Sequence, residues 1–295
     1  LCVPEGKLVV THHGLVPIEK IVTGDAVITH LGHSKKVVNT MSRYLRGDIA
    51  SIDLWGDCEP IEVTPEHPVF VIKKSRFKRR FDLVHSLEPE WIKAADVEKG
   101  DLVVRAIPQS DEDIKTKVDL RDIDARLCFD DHKVWYNTGY NGKSELKTYN
   151  RFVDLADLAF IFGWYIAEGC DGVNRIWLTL HEKEKSVAEK WLSSVEKIFG
   201  VKGSYRTFPS QHRLEVRVNS VLLCKFFSRF CGSNAHLKKI PNELLYGGPG
   251  ALRELVKAYT LGDGHVHKNI TSCTTVSPGL ARCLVIALER LGYKV

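Results

Sequence analysis

The fold is decided by two related stretches of the chain. Residues 158–169 read LAFIFGWYIAEG, and residues 252–264 read LRELVKAYTLGDG. Each stretch predicts an apolar helix that stops at an acidic residue followed by glycine, Glu168-Gly169 in the first copy and Asp263-Gly264 in the second. Because the two acidic residues occupy equivalent positions, the sequence predicts an internal duplication.

The elements after each stretch repeat as well. In the first copy we predict a strand at 176–180 and an amphipathic helix that ends at Gly200; in the second copy we predict a strand at 270–275 and a helix from Ser277-Pro278 to Gly292. Between the copies we expect two strands, 204–208 and 214–218, and a helix over 221–230. The pattern predicts an α+β domain over residues 151–295 with an internal pseudo-twofold repeat. The second copy stops before its own strand pair, so we expect one full sheet and one incomplete sheet.

The N-terminal part has the pattern of short strands and turns. Gly24-Asp25 and Gly100-Asp101 each follow a short apolar segment and precede a β-branched strand, so this half also carries an approximate repeat. The remaining predicted strands cover residues 7–11, 26–29, 36–44, 49–54, 60–63, 69–72 and 102–107. We predict an all-β domain over residues 1–108 and a polar, turn-rich linker over residues 109–150.

Composition supports a multidomain globular protein. The chain has 295 residues, of which 44% are hydrophobic and 27% are charged, and its eight cysteines form no CxxC pair. No apolar run reaches the roughly 18 residues of a membrane span, and no signal peptide opens the sequence. Scattered cysteines without such a signal indicate reduced thiols, so we expect a cytoplasmic or intracellular protein that does not bind membranes.

Charge is distributed unevenly along the chain. Residues 1–150 carry 22 Lys and Arg against 24 Asp and Glu, whereas residues 151–295 carry 20 against 13. A basic second half favours a polyanionic partner, and chance surface charge is the alternative.

The duplicated helix ends carry the clearest chemical prediction. If the two helices pack about a pseudo-twofold axis, the carboxylates of Glu168 and Asp263 come together, and they repel each other unless a cation lies between them. Carboxylate oxygens favour Mg²⁺, and acidic pairs that hold divalent metals hydrolyse phosphodiesters. The alternative is that Glu-Gly and Asp-Gly only end the helices.

Two groups of basic residues could contact phosphates. Strand alternation over 204–208 and 214–218 turns Arg206, Arg213 and Arg217 to one face, which predicts contacts with DNA, although Glu215 shares that face. The run over residues 73–80 has six basic residues in eight. It is either a solvated hairpin tip, an accessory phosphate-binding loop or a nuclear localisation signal.

A third constellation lies in the N-terminal half. Thr64 and His67 stand three residues apart in a proline-bounded turn, so their side chains can point the same way. Cys2 is a potential nucleophile, and His67 can protonate an amide nitrogen or polarise its carbonyl. A surface histidine and an unrelated cysteine are the alternative.

These blocks together resemble an intein interrupted by a LAGLIDADG, or dodecapeptide-type, homing endonuclease. Residues 2–11 and 17–25 are similar to the opening of Hint splicing domains, residues 62–69 to the TxxH splicing block and residues 91–104 to a later block of the same domain. Residues 158–169 and 252–264 resemble the two LAGLIDADG helices, and residues 236–241 match the stretch expected upstream of the second helix. The resemblance covers nearly the whole chain.

The resemblance implies a role for each matching residue. Cys2 is expected to perform an N–S acyl shift on the Leu1-Cys2 bond, which Thr64 and His67 strain and polarise. Glu168 and Asp263 are expected to bind Mg²⁺ and cleave both DNA strands, with Lys238 or Lys239 stabilising charge nearby. Splicing needs no cofactor. The expected partners are double-stranded DNA at a homing site and a host protein in cis, and a monomer is expected.

The sequence also departs from that family. It contains no His-Asn dipeptide, with which inteins normally end, so we expect that the C-terminal splicing part is missing and that the chain is an inactive fragment. The combined function predicted is protein splicing plus site-specific DNA cleavage. Two other classes stay open: a DNA-binding module that does not cut, and a Hint autoprocessing domain of a non-intein type.

Overall fold

The computed structural model describes residues 2–11, 14–57, 59–77, 87–109, 114–137, 147–268, 270–293 and 295. The chain divides into two compact units. The first consists of residues 1–109 with residue 295, and the second consists of residues 110–294.

The first unit is built from short antiparallel strands. They are β1 (Leu8–Thr11), β2 (Gly14–Pro17), β3 (Ala26–Ile28), β4 (Ser34–Lys36), β5 (Ala50–Ile52), β6 (Ile61–Val63), β7 (Pro68–Ile72), β8 (Glu90–Lys93) and β9 (Leu102–Val103). They form three sheets, with the orders β2-β1-β3-β4, β5-β6 and β8-β7-β9. A small apolar cluster centred on Val63, Val69, Val71 and Ala94 packs between them.

The two Gly-Asp turns of the first unit are built in the same way. Gly24 and Gly100 have φ values of +100° and +103°, a conformation that favours glycine. The carboxylate of Asp25 accepts a hydrogen bond from the backbone N–H of Val22, and Asp101 accepts one from Glu98, both at 2.9 Å. The internal repeat predicted from the sequence is therefore present at the level of turn geometry.

Residues 110–154 differ from the predicted linker, because they carry strands and belong to the second unit. Strand β10 (Lys117–Asp119) pairs with β14 (Phe152–Asp154), and β11 (Leu127–Phe129), β12 (Lys133–Tyr136) and β13 (Thr148–Asn150) form a second small sheet. Buried Leu120, Leu127, Val134 and Tyr149 anchor them.

The rest of the second unit is an α+β arrangement. A sheet of order β15-β16-β18-β17 is formed by β15 (Gly169–Asp171), β16 (Arg175–His181), β17 (Ser204–Phe208) and β18 (Arg213–Asn219). Strands β19 (Gly264–His267) and β20 (Ile270–Cys273) form a separate two-stranded sheet. Thus, within the described residues, the second repeat has two strands where the first repeat has four.

Six α-helices complete the described part of this unit. They are α1 (Ala159–Glu168), α2 (Lys185–Phe199), α3 (Val221–Cys231), α4 (Asn242–Leu245), α5 (Pro249–Asp263) and α6 (Pro278–Arg290). Helix α2 ends at Gly200 in the left-handed conformation, and α6 begins at the Ser277 N-cap with Pro278 at its first position, as predicted. The core between α1, α2 and α3 is aromatic, with Phe162 against Phe226 and Phe227.

No described helix has the length and apolar character needed to cross a bilayer. The architecture is mixed helix and strand with several small sheets. The assignment of the two units to the Hint and LAGLIDADG folds stays a prediction.

Candidate functional site

Helices α1 and α5 pack side by side, and glycines allow their close approach. A Cβ atom at Gly163 would lie 2.5 Å from both the Cβ of Ala258 and the carbonyl oxygen of Leu255. A Cβ at Gly262 would lie 2.7 Å from the Cβ of Ala167. This contact between small residues brings about the helix packing on which the predicted carboxylate pair depends, and it fixes the two helix ends relative to each other.

Both helices end through the same capping arrangement. The N–H of Gly169 donates to the carbonyl of Tyr165, and the N–H of Gly264 donates to the carbonyl of Thr260. Both glycines have extended backbone rather than the left-handed conformation common after helices. Glycine is required for space, because a Cβ would lie 2.4 Å and 2.2 Å from those same carbonyl oxygens.

The carboxylates of Glu168 and Asp263 stand at these matched ends and interact. Partial burial raises the pKa of Glu168 to about 7, and the negative charges of Asp263 and Glu184 contribute to the increase. The pKa of Asp263 is also raised, because protein removes part of its water. Each carboxylate also stands at the negative end of its helix dipole, which adds to the cost of ionisation. The pair is therefore set up to hold either a proton or a cation.

The donor set limits which cation could fit. The described residues contain no group of three or more His, Cys, Asp or Glu side chains arranged to hold a metal ion. A closed zinc site needs four protein ligands, whereas Mg²⁺ keeps several waters and uses one or two carboxylates plus phosphate oxygens. Glu168 and Asp263 fall short of the ligand set of a structural zinc ion, and Mg²⁺ binding at this pair stays a prediction.

The predicted arginine face forms on strands β17 and β18. Leu214, Val216 and Val218 are fully buried, and Arg206, Arg213 and Arg217 lie on the opposite face. Arg206 is directly opposite Glu215, and the side chain of Arg217 forms an ion pair with Glu215. Arg206 is an exposed cation of this face, as is Arg175 on the neighbouring strand β16, and part of the charge of Arg217 is already neutralised within the sheet.

The two candidate lysines occupy different environments. Lys238 is only 5% exposed, and its Nζ donates to the carbonyl of Tyr165 at 2.9 Å. Lys239 is exposed, and its backbone N–H donates to the carbonyl of Cys231. Sequence reasoning offered both lysines as charge stabilisers near the carboxylates. It could not anticipate that Lys238 is buried against helix α1.

In the first unit, Cys2 lies directly against the Thr64 turn. The N–H of Cys2 donates to Thr64 Oγ1 at 3.1 Å, and the N–H of Thr64 donates to the carbonyl of Cys2 at 3.0 Å. The N–H of His67 in turn donates to the carbonyl of Thr64. The three residues predicted from the sequence therefore cluster, and burial lowers the pKa of His67.

The structure adds one residue that sequence reasoning missed. Arg43 Nε donates to Cys2 Sγ at 3.1 Å, and Arg43 Nη2 pairs with Glu66 at 3.4 Å. No motif marks Arg43, because it lies 41 positions from Cys2 in a segment without regular structure.

Part of the basic run over residues 73–80 has a structural role. Lys73 Nζ pairs with Asp101 at 2.8 Å and donates to the carbonyl of Asp96, and Arg76 donates to the carbonyl of Glu88. These contacts favour the hairpin interpretation for Lys73 and Arg76. Residues 78–80, like Leu1, lie outside the described residues.

Comparison with known proteins gives remote relatives. No protein-family model matches the chain. The chain is 26% identical over 99% of its length to the ATP-dependent DNA helicase Hel308 of Thermococcus kodakarensis, of which it covers 28%. It is 29% identical over 83% of its length to an uncharacterized protein of Methanocaldococcus jannaschii, of which it covers 32%. It is 25% identical over 90% of its length to an iron-sulfur cluster assembly SufBD family protein of Mycobacterium bovis, of which it covers 29%. The chain thus spans less than a third of the length of these relatives.

These relatives contradict the combined function predicted from the sequence. They are named as a DNA helicase and as an iron-sulfur cluster assembly protein, and neither name describes protein splicing or a homing endonuclease. The prediction of splicing at Cys2 joined to DNA cleavage for homing is therefore corrected. The family resemblance relied on short blocks, and such blocks constrain local turns and helix ends more strongly than they constrain activity.

Proposed function

We propose that the second unit is a nucleic-acid-binding module in which Glu168 and Asp263 hold Mg²⁺ and support hydrolysis of a phosphodiester. The observation that carries this proposal is the meeting of two interacting carboxylates at the matched ends of a closely packed helix pair. The proposal concerns this unit alone. It includes no splicing and no homing.

The relatives do not supply this function, because two are named for different activities, one is uncharacterized, and each shares less than a third of its length with the chain. A segment common to differently named proteins is a module that each of them carries. Its activity is therefore argued from its own residues. The basic excess of residues 151–295 and the exposed Arg206 favour a polyanionic partner.

The residues divide the task between binding and chemistry. Arg206 and Arg213 face away from the core of the sheet and can contact phosphate oxygens. Glu168 and Asp263 would hold the cation, and the backbone phosphate would complete its coordination. When bound, Mg²⁺ supplies a Lewis acid for the phosphoryl oxygen and lowers the pKa of its water. A module that binds nucleic acid without hydrolysis is the competing outcome.

The test measures binding and cleavage separately on the same protein. Fluorescence anisotropy with a mixed-sequence duplex DNA pool, at several salt concentrations, reports binding. Incubation of that pool with Mg²⁺, followed by sequencing of new ends, reports cleavage. We expect Glu168→Gln to abolish cleavage and to keep DNA binding. Glu196→Gln, the same chemical change on the exposed face of α2, should leave both unchanged.

Two results would reject the proposal. The first is a failure of the wild-type protein to bind Mn²⁺ through these carboxylates. Mn²⁺ serves here as a paramagnetic substitute for Mg²⁺. The second is DNA binding that is insensitive to salt, because phosphate contacts must release counterions. Binding without any cleavage would leave the competing binding module as the function.

A further inference from the structure

Lys238 is a buried lysine whose side chain contacts other groups of the protein. Its Nζ donates to the carbonyl oxygen of Tyr165 at 2.9 Å and lies 3.5 Å from the centroid of the Tyr165 ring. Burial lowers the pKa of its ammonium group to about 8. Burying a charge is costly unless specific partners compensate, so a lysine kept in this place indicates a defined role.

The partners of Lys238 stabilise the last turn of helix α1. The carbonyl of Tyr165 also accepts the N–H of Gly169, so the ammonium and the helix cap share one oxygen. A cation at the C-terminal end of a helix interacts favourably with the helix dipole. Glu168 lies in this same turn, immediately before Gly169. Fixing the Tyr165 carbonyl therefore restrains the backbone that carries Glu168.

The backbone of Lys238 connects the same point to the second repeat. Its carbonyl accepts a hydrogen bond from Ser277 Oγ at 2.7 Å. Ser277 is the N-cap of helix α6, where its Oγ also accepts the N–H of Leu280. Helix α6 contacts helix α5, which carries Asp263. Lys238 thus touches both repeats: its side chain bonds the turn that carries Glu168, and its backbone bonds the start of helix α6, which packs against the helix that carries Asp263.

We propose that Lys238 is a positioning residue: through the Tyr165 carbonyl and the Ser277 hydroxyl it holds the end of α1 in register with the second repeat, and so sets the place of Glu168. The effect of this positioning role on cation binding rests on the function proposed above. This role differs from direct stabilisation of a phosphate, because the ammonium is directed at a helix carbonyl and is nearly inaccessible to solvent.

The first test needs no metal and uses an internal control. Gly169 and Gly264 cap their helices through the same type of bond, but only the acceptor carbonyl of Gly169 also accepts from a lysine. In Lys238→Met we expect hydrogen exchange at the Gly169 amide to accelerate by about tenfold or more, because a hydrogen bond to a charged group is lost. Exchange at Gly264 should change by less than about twofold. Equal acceleration at both amides, or none at Gly169, would overturn the proposal.

A matched variant controls for loss of charge. Lys225→Met also removes an ammonium and its ion pair with Asp124, but on helix α3. We expect it to leave Gly169 exchange unchanged relative to Gly264. If Lys238→Met does not fold, Lys238→Gln is measured in its place, because it also removes the ammonium and its charge-assisted hydrogen bond, and selective acceleration at Gly169 is required of it.

The second test measures whether Lys238 affects cation binding through Glu168. Mn²⁺ affinity is measured for wild type, Lys238→Met, Glu168→Gln and the double variant. We expect Lys238→Met to weaken Mn²⁺ binding by about tenfold in the wild-type background and to have no further effect when Glu168 is already Gln. Equal weakening in both backgrounds would mean general loosening of the fold and would overturn the positioning role. A wild type without Mn²⁺ binding would reject the proposed function alone, since the exchange test stands without metal.

Discussion

Replacing Glu168 by Gln should make the metal-free protein more stable at neutral and alkaline pH. The pKa of Glu168 is raised from its ordinary value of 4.5 to about 7 by burial and by the charge of Asp263. Because the folded state holds this proton more tightly than the unfolded state, stability falls as pH rises from about 4.5 to about 7 and then stays level. The full difference corresponds to at most about 3 kcal/mol, and solvent screening of this half-buried carboxylate reduces it. Glutamine removes the charge but still buries a polar group, so we expect a net gain of about 2 kcal/mol.

Urea unfolding of wild type and Glu168→Gln between pH 4 and pH 8, in a metal chelator, measures this effect. A gain of about 2 kcal/mol corresponds to an increase in Tm of about 4–8 °C for a unit of this size. Excess Mg²⁺ should raise the Tm of the wild type and leave that of Glu168→Gln nearly unchanged. Glu196→Gln serves as the control. The reasoning is refuted if Glu168→Gln is not more stable at pH 8, or if the decline above pH 4.5 persists equally in both proteins.

Three further predictions follow from the same geometry. Gly163→Ala should lower the free energy of unfolding by about 1–3 kcal/mol, because the added Cβ overpacks the contact between α1 and α5. Gly250→Ala should raise it by about 0.5–1 kcal/mol, because a Cβ at this position of α5 meets open space. Urea titration measures both changes. Mn²⁺ affinity should rise about tenfold per pH unit up to about pH 7, as Glu168 loses its proton, and then level off; a flat profile in calorimetric titrations would contradict this. Arg206→Ala should lower the slope of log K against log salt by about 1, and Arg217→Ala by clearly less because its carboxylate partner already neutralises it; anisotropy titrations that give equal slopes would count against the phosphate role.

The sequence predicts those parts of the fold that local chemistry determines. The helix ends at Glu168 and Asp263, the Gly-Asp turns and the Ser277-Pro278 helix start all lie within one or two residues of their predicted positions. Each depends on a cap, a turn or a close backbone approach that a few neighbouring residues specify. The contact between α1 and α5, which the sequence analysis took as the condition for a carboxylate pair, is made by small residues on one face of each helix.

Elements that depend on distant partners were harder to predict. Residues 110–154 are polar and turn-rich, yet β10 pairs with β14 across more than 30 residues and so acquires a structure that no local pattern marks. The strand predicted over residues 36–44 is wrong beyond its first residue. Strand β4 ends at Lys36, Val37 still exchanges backbone hydrogen bonds with Gly24 and Asp25, and residues 38–44 have no regular structure. Lys238 and Arg43 were misjudged or missed for the same reason: their roles come from a carbonyl 73 positions away and a thiol 41 positions away.

The duplicated architecture explains why two unfavourable carboxylates persist at one edge. A single acidic residue at a helix C-terminus costs little, but the glycine contacts bring two such ends together, so the two carboxylates repel each other whenever both are ionised. The close packing of the helix pair thus produces a site in which the two carboxylates repel each other at neutral pH when no cation is bound. On the proposed function, a bound cation would offset that repulsion. If that proposal holds, the affinity for the cation would depend on how firmly the two helix ends are held, through the Lys238 contact with Tyr165 and the close helix approach at Gly163 and Gly262.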